Sequence, residues 1–250
     1  MLGDSMRAKR IEVLGVPVDC VNMRQSLACV DDMMTGDKAE AVIAVNPEKV
    51  IKAQGDPVLL ARLQQAGLLI PDGVGLVVAA RILGLGRMER VPGSELMPAI
   101  CELAARKRYP VFLYGAAPDV NRKAREVLAE RYPGILIAGG RDGFVKEDDM
   151  PNLIDEINAS GAQILFIALG SPRQELWMEK YLPQLNIKVC QGVGGTFDVI
   201  AGKVKRAPLI FRKMQLEWFY RLASQPKRLL RQTALPRFVL QVFKKRMGLL

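Results

Sequence analysis

The stretch LLIPDGVGLV, residues 68–77, places a carboxylate where it could act as a general base. The apolar residues 68–70 predict a short buried strand, and Asp72 follows directly after Pro71. Two structural interpretations compete with a catalytic one. Pro-Asp-Gly is typical of a tight turn, and Asp72 could also cap a helix that begins near Val74. The stretch alone therefore leaves a turn, a helix cap and a base open.

The composition narrows the chemistry that this carboxylate could serve. The 250 residues contain no His, which excludes a Ser-His-Asp triad, a Cys-His dyad and a His-ligated zinc site. Acid–base work must then fall to Asp, Glu, Lys, Tyr or Cys. No strand is followed by G-x-G-x-x-G, and the chain has neither a P-loop motif nor an Asp-x-Asp pair. We therefore predict no metal site, and we expect backbone N–H groups and Arg to neutralise any diphosphate.

The elements that must position the carboxylate follow from the pattern of apolar residues. Short apolar runs alternate with helical patterns through most of the chain, which is typical of a parallel sheet covered by helices on both faces. The strands are predicted at 41–45, 68–70, 111–115, 135–140, 163–170 and 188–195. The helical patterns lie at 50–67, 75–84, 94–107, 119–132, 147–160 and 173–185. The sequence therefore predicts an α/β fold with a mostly parallel sheet.

Glycine-rich turns follow several of these strands, in the segments YGAAPD, GGRDGF, ALGSPRQE and GVGGTFD. Each glycine alone is explained by a tight strand-to-helix turn. Together they favour a shared cleft, because ligands of open α/β sheets bind outside the carboxyl ends of the strands. The turns supply these candidate substrate-binding residues: Gly115, Gly143, Gly194, Gly195, Thr196 and Asp198.

The positive charge of the chain is concentrated at its C-terminal end. Residues 203–250 hold 13 Lys and Arg against one acid, a formal charge of +12, whereas residues 1–202 carry −2. We take this change in composition as a domain boundary near Gly202. It separates a catalytic α/β domain, 1–202, from a basic helical appendage, 203–250.

The appendage combines its cations with two apolar stripes. The last stripe recurs at the spacing of one helix face and consists of Leu235, Phe238, Val239, Val242 and Phe243. An upstream stripe around Trp218 is more typical of packing on the body. A basic amphipathic helix favours binding to an anionic membrane surface. Nucleic acid is the rival partner, but no nucleic-acid-binding motif occurs, so we predict none.

Taken together, several motifs resemble the WecG/TagA/CpsF family of glycosyltransferases from about residue 11 to the tail. They are NPEKV, PDGVGLV, ERVPGSEL, LYGAAPDV, GGRDGF, ALGSPRQELW and GVGGTFDVIAGKVKRAP. The resemblance implies a Rossmann-like core, inversion of the anomeric centre, and no cofactor or metal. It also implies a UDP-sugar donor and an acceptor sugar linked to undecaprenyl diphosphate. The TagA branch, which is the most similar, moves N-acetylmannosamine onto lipid-linked N-acetylglucosamine in the wall teichoic acid linkage unit.

The resemblance also assigns roles to individual residues. The aspartate of the PDG motif falls on Asp72, as general base, and the Asn that ends the first core strand falls on Asn46, as a second catalytic residue. The ERV motif puts a substrate-binding Arg at Arg90, and P-[KR]-Q-E puts a Gln at Gln174. One departure is Ala44, where many relatives have a Thr whose hydroxyl could reach the sugar or a phosphate.

The appendage supplies the residues predicted to meet the lipid diphosphate and the membrane. They are Arg212, Arg221, Arg228 and Arg231, because guanidinium forks suit diphosphates better than Lys does. With no signal peptide and no apolar run of about 18 residues, we expect a cytoplasmic protein, peripheral on the inner face of the cell membrane. The sequence leaves open a homo-oligomer, a different donor such as a uronic acid sugar, and a non-enzymatic adaptor.

Overall fold

The computed structural model describes residues 8–204, 208, 211 and 234–249, and its centre is a six-stranded parallel sheet. The strands are β3 (Glu40–Val45), β4 (Leu68–Pro71), β5 (Val111–Gly115), β6 (Ile137–Arg141), β7 (Ile164–Ala168) and β8 (Val189–Gly192). Their order across the sheet is β4-β3-β8-β7-β5-β6, and all neighbours run parallel. The predicted Rossmann-like α/β class is confirmed.

Helices cover both faces of this sheet, as expected. One core cluster packs α2, α3, α4, α7, α8 and α10 against one face, and a second packs α1, α5, α6 and α9 against the other. The helices are α1 (Met23–Met33), α2 (Pro47–Gln54), α3 (Pro57–Gln65), α4 (Val74–Ile82), α5 (Gly93–Lys107), α6 (Pro118–Arg131), α7 (Met150–Ala159), α8 (Arg173–Tyr181), α9 (Thr196–Ile200) and α10 (Ala234–Arg246). Short 3₁₀ turns lie at Glu147–Asp149 and Leu182–Gln184.

Three predicted elements differ from the structure for identifiable reasons. The helical pattern at 50–67 is two helices, because Asp56 caps α3 and a proline begins it. The strands predicted to extend to 170 and 195 end at Ala168 and Gly192. Beyond them Gly170 and Gly194 have left-handed backbone conformations, with φ of 75° and 53°, that take the chain out of the sheet.

A two-stranded antiparallel hairpin that the sequence patterns did not predict precedes the sheet. It consists of β1 (Arg10–Val13) and β2 (Val16–Asp19). The buried carboxylate of Asp19 accepts hydrogen bonds from Arg10 Nε at 2.7 Å and from the backbone N–H of Leu69 at 2.8 Å. This carboxylate therefore fastens the hairpin to the edge strand β4.

Helix α10 packs on the α/β body against α2 and α4. The apolar stripe is divided by this packing: Phe238 and Val242 are buried, whereas Val239 and Phe243 are about half exposed. Leu240, which is outside the stripe, is also about half exposed. The stripe residues Phe238 and Val242 thus belong to the core and do not face a membrane. The upstream stripe at Trp218 and the four predicted arginines Arg212, Arg221, Arg228 and Arg231 lie outside the described residues. Within the described part of the chain, every helix is too short or too polar to cross a bilayer.

Candidate active site

The two predicted catalytic residues stand at the ends of neighbouring parallel strands. Val45 of β3 and Pro71 of β4 are register partners, and Asn46 and Asp72 are the next residues along each strand. The N–H of Asp72 donates to the carbonyl of Val45 at 2.7 Å, which holds the turn against β3. The sheet therefore brings the amide and the carboxylate together at its carboxyl edge.

The carboxylate of Asp72 does not cap the helix that follows it. The N-cap of α4 is Gly73, whose φ of 117° excludes most side chains, and this cap makes no side-chain hydrogen bond. Instead, Asp72 Oδ2 accepts a 3.4 Å hydrogen bond from the N–H of Gly93, the first residue of α5. The interpretation of Asp72 as the α4 cap is therefore wrong. The carboxylate therefore lies at the N-terminus of the 15-residue helix α5, which carries partial positive charge.

Asn46 has a structural task as well as its place beside Asp72. It is the N-cap of α2, and its side-chain oxygen accepts from the N–H of Lys49 at 2.8 Å. This hydrogen bond fixes the side chain at the start of the helix. The amide is therefore held on a rigid element, as a residue that orients substrate should be.

A cleft of about 930 Å³ opens at this edge of the sheet. Its size lies in the range typical of small-molecule sites. Seven of the predicted site residues line it: Asn46, Asp72, Arg90, Gln174, Gly194, Gly195 and Thr196. Ala44 also faces it. The Gly turns after β8 and the polar residues after β3, β4 and β7 therefore do share one cleft.

Three predicted substrate-binding residues are absent from the lining of this cleft. Gly115 has a φ of 114°, and an added Cβ would stand 2.6 Å from the backbone of Ala168, so close strand packing accounts for the glycine. Gly143 packs against the same turn, with its N–H donating to the carbonyl of Ala116 at 2.8 Å. Asp198 lies in the first turn of α9 near Gly195. Substrate contacts by these three residues stay predictions.

Gln174 is the centre of a polar network across the strand ends. Its side-chain oxygen accepts from the N–H of Gly194 at 3.1 Å, and its Nε2 lies 3.4 Å from Oε1 of Glu175. The same Glu175 oxygen accepts from Lys49 Nζ at 2.5 Å. Gly192 permits this arrangement, since an added Cβ would stand 2.6 Å from the Gln174 amide.

The Lys49–Glu175 ion pair is a feature of the site that the sequence analysis missed. Burial raises the pKa of the Glu175 carboxyl, but the adjacent Lys49 ammonium, together with hydrogen bonds from Lys49, the Glu175 backbone and Ser171, brings that pKa below its ordinary value. The motif NPEKV carried a signal of this pair. A Lys in the first turn of a helix is disfavoured by the helix dipole, so its presence there indicates a partner or a function.

The exposed part of α10 forms an apolar wall of the same cleft. Leu235, Val239, Leu240 and Phe243 contribute to the lining together with Asp72 and Arg90. The sequence analysis assigned three of these residues, Leu235, Val239 and Phe243, to a membrane-binding stripe and gave no reason to place them beside the carboxylate. The appended helix therefore shapes the site directly.

Comparison with known proteins identifies the family. The profile of the glycosyl transferase WecG/TagA/CpsF family matches residues 11–249. The chain belongs to this family. A curated relative from Bacillus spizizenii is 38% identical over 208 residues, which cover 83% of this chain and 80% of the relative. That relative is named N-acetylglucosaminyldiphosphoundecaprenol N-acetyl-beta-D-mannosaminyltransferase. The family membership predicted from the sequence motifs is thereby confirmed.

The groups that line the cleft of this glycosyltransferase include the carboxylates of Asp72 and Glu48, amides, hydroxyls and cations. In the described ranges, no three Cys, Asp or Glu side chains come together as a metal-binding cluster. Arg90, Lys49 and Lys52 line the cleft and could face an anionic ligand. The arrangement suits a reaction in which a base takes a proton while a diphosphate departs.

Proposed function

We propose that this glycosyltransferase moves N-acetylmannosamine from UDP-N-acetylmannosamine to N-acetylglucosamine linked to undecaprenyl diphosphate, with inversion at the anomeric carbon. The observation that carries the proposal is the carboxylate of Asp72 at the strand-end cleft, in a member of this family. The name of the Bacillus spizizenii relative supports the choice of donor and acceptor.

The cleft residues take the following roles in this reaction. Asp72 removes the proton from the acceptor hydroxyl as its oxygen attacks the anomeric carbon, and the bond from that carbon to the UDP oxygen breaks. Asn46, one strand away, orients the reacting sugar. Arg90 stabilises the negative charge that develops on the departing UDP, since it lines the same cleft.

We further propose that the protein works as a peripheral enzyme on an anionic membrane surface, at the inner face of the cell membrane. The lipid-linked acceptor keeps its reactive sugar close to the bilayer, so the cleft must reach that surface. The exposed residues Phe243, Met247 and Leu249 of the C-terminal segment are apolar, and Lys244 and Lys245 beside them are exposed cations. Each cation near anionic lipid contributes about 1 kcal/mol, so a few would suffice for reversible binding.

Sugar transfer from a panel of donors tests the proposal. We would incubate the purified full chain with a prenyl-diphosphate-linked N-acetylglucosamine and follow both UDP release and the glycolipid product. The proposal expects the highest kcat/KM with UDP-N-acetylmannosamine. A preference for UDP-N-acetylmannosaminuronate would mean that this sugar nucleotide is the donor. Ala44 would then be the first residue to examine for donor specificity. Tight binding to nucleic acid, with no transfer to any lipid, would favour the adaptor instead.

A further inference from the structure

The Lys49–Glu175 ion pair joins the starts of two helices that flank the cleft. Lys49 is the third residue of α2 and Glu175 the third residue of α8. These helices follow β3 and β7, with β8 between them in the sheet. Nζ and Oε1 are 2.5 Å apart, and the side chains are 7% and 0% exposed. The pair therefore spans the carboxyl edge of the sheet beneath the cleft.

The position of Lys49 is energetically unfavourable for a charged lysine. The first turn of a helix carries partial positive charge and disfavours a cation. Removal of an ammonium from water costs several kcal/mol, which a carboxylate partner offsets only in part. Because an apolar pair of similar volume is often as stable, structural stability alone does not account for a buried ion pair at this place.

Lys49 also faces the ligand space. Lys49 lines the cleft together with Asp72, Arg90 and Gln174. An ammonium has three N–H donors, and the hydrogen bonds among the described residues direct one of them to Glu175. The ion pair is neutral overall, so Lys49 contributes its remaining N–H donors, and not a net charge, beside two helix N-termini that themselves favour anions.

We propose that Lys49 binds the diphosphate of the nucleotide-sugar donor and that Glu175 is the positioning residue that holds the ammonium in place. This inference rests on the proposed function, because it requires a donor with a diphosphate. Lys49 shares with Arg90 the charge that appears on UDP when the sugar leaves. The buried carboxylate fixes the Nζ atom, so little side-chain entropy is lost when the donor binds.

Calorimetric binding of UDP and of uridine to the full chain separates this role from a structural one. Lys49→Met should weaken UDP binding roughly 10- to 100-fold, the scale of a lost hydrogen bond between charged groups. Uridine lacks the phosphates, so its affinity should change less than about twofold. Lys49→Arg should restore most of the UDP affinity. Glu175→Gln should raise the KM for the donor more than it lowers kcat.

Two further variants keep the test decisive. Lys49→Met leaves Glu175 buried without its partner, so the neutral double variant Lys49→Met with Glu175→Gln guards against misfolding. The matched control is the exposed pair on α6, Lys123 and Glu126, whose Nζ–Oε2 distance is 3.1 Å. The double variant Lys123→Met with Glu126→Gln should bind UDP as the wild type does.

The outcomes distinguish the inference from the proposed function. If the wild type transfers sugar while Lys49→Met and the double variant Lys49→Met with Glu175→Gln both bind UDP within about twofold of it, the inference is overturned and the proposed function stands. An equal loss of UDP and uridine affinity would also overturn it, because that is the signature of a collapsed site. A wild type that binds no uridine nucleotide would overturn both.

Discussion

Asn46 and Asp72 each follow one member of the register pair Val45 and Pro71, on adjoining parallel strands. Parallel strands are about 4.8 Å apart, so the sheet itself sets the spacing of the amide and the carboxylate. The pair does not depend on loop conformation. This relationship makes the role of each residue testable with substitutions that leave the backbone in place.

Asp72→Asn should lower turnover about 10²–10⁴-fold while the protein stays folded. The Asn side chain keeps an oxygen that can accept from the N–H of Gly93, but it cannot take up a proton. Asp155→Asn, at an exposed carboxylate of α7, is the control. Steady-state transfer and UDP binding give the measurement. Near-normal turnover in folded Asp72→Asn protein would remove this residue from the mechanism.

Substitutions at Asn46 should separate its cap from its catalytic role. Asn46→Ala removes the hydrogen bond to the N–H of Lys49 and should cost about 1 kcal/mol of unfolding free energy. Asn46→Asp keeps the cap, so its urea midpoint should match that of the wild type. Its turnover should nevertheless fall, since it adds a negative charge beside Asp72. Wild-type turnover in Asn46→Asp protein would show that the residue acts only as a cap.

Excess EDTA followed by dialysis should leave transfer unchanged. The reason is that Arg90 and the helix N-termini already supply positive charge for the diphosphate, and Lys49 supplies N–H donors. The measurement is UDP release before and after chelation, with and without added Mg²⁺ or Mn²⁺. Loss of activity that a divalent ion restores would contradict this account of charge neutralisation.

Acid should destabilise the wild type more than the neutral variant Lys49→Met with Glu175→Gln. The folded-state pKa of Glu175 is lowered, so its contribution is complete above its unfolded pKa of about 4.3. That contribution is lost as the pH falls through the folded pKa. Urea unfolding between about pH 6 and pH 3 should therefore show a steeper decline for the wild type. Parallel curves would mean that the carboxylate is not stabilised by Lys49.

Alanine substitutions at two phenylalanines of α10 should affect different properties, stability in one case and vesicle binding in the other. Phe238 is 2% exposed, and Phe238→Ala should cost about 3–5 kcal/mol of unfolding free energy. Phe243 is 51% exposed, so Phe243→Ala should leave stability within about 0.5 kcal/mol. Binding to anionic vesicles, measured by co-sedimentation, should weaken for the Phe243 variant. Unchanged vesicle binding and unchanged lipid transfer would exclude this face from the membrane contact.

Much of the fold could be predicted because its signals are local. Apolar runs of four to six residues are strands, and polar or glycine residues after them form the rim of the cleft. Asn46 and Asp72 were therefore found from their places after strands, together with the family motifs. The hairpin at residues 10–19 escaped because its strands are short and its anchor is the carboxylate of Asp19, a residue type that indicates a surface position.

The features of the fold and of the site that could not be predicted from the sequence depend on contacts between residues far apart in the chain. Lys49 and Glu175 are 126 positions apart, and no periodicity links them. An amphipathic stripe indicates the width of an apolar face but not what packs against it. Only the structure shows which apolar residues of α10 pack in the core and which line the cleft. Gly115 shows a related ambiguity: its close approach to the backbone of Ala168 accounts for the glycine through strand packing, so its contact with substrate stays a prediction.

The burial of Phe238 and Val242 has a consequence for biosynthesis. Both residues fill the core cluster that α2 and α4 build near the start of the chain, yet the ribosome makes them after every strand of the sheet. A nascent chain without α10 has all six strands, but one core face is open and the cleft lacks a wall. This core face and the apolar wall of the cleft are therefore completed only after α10 has been synthesised.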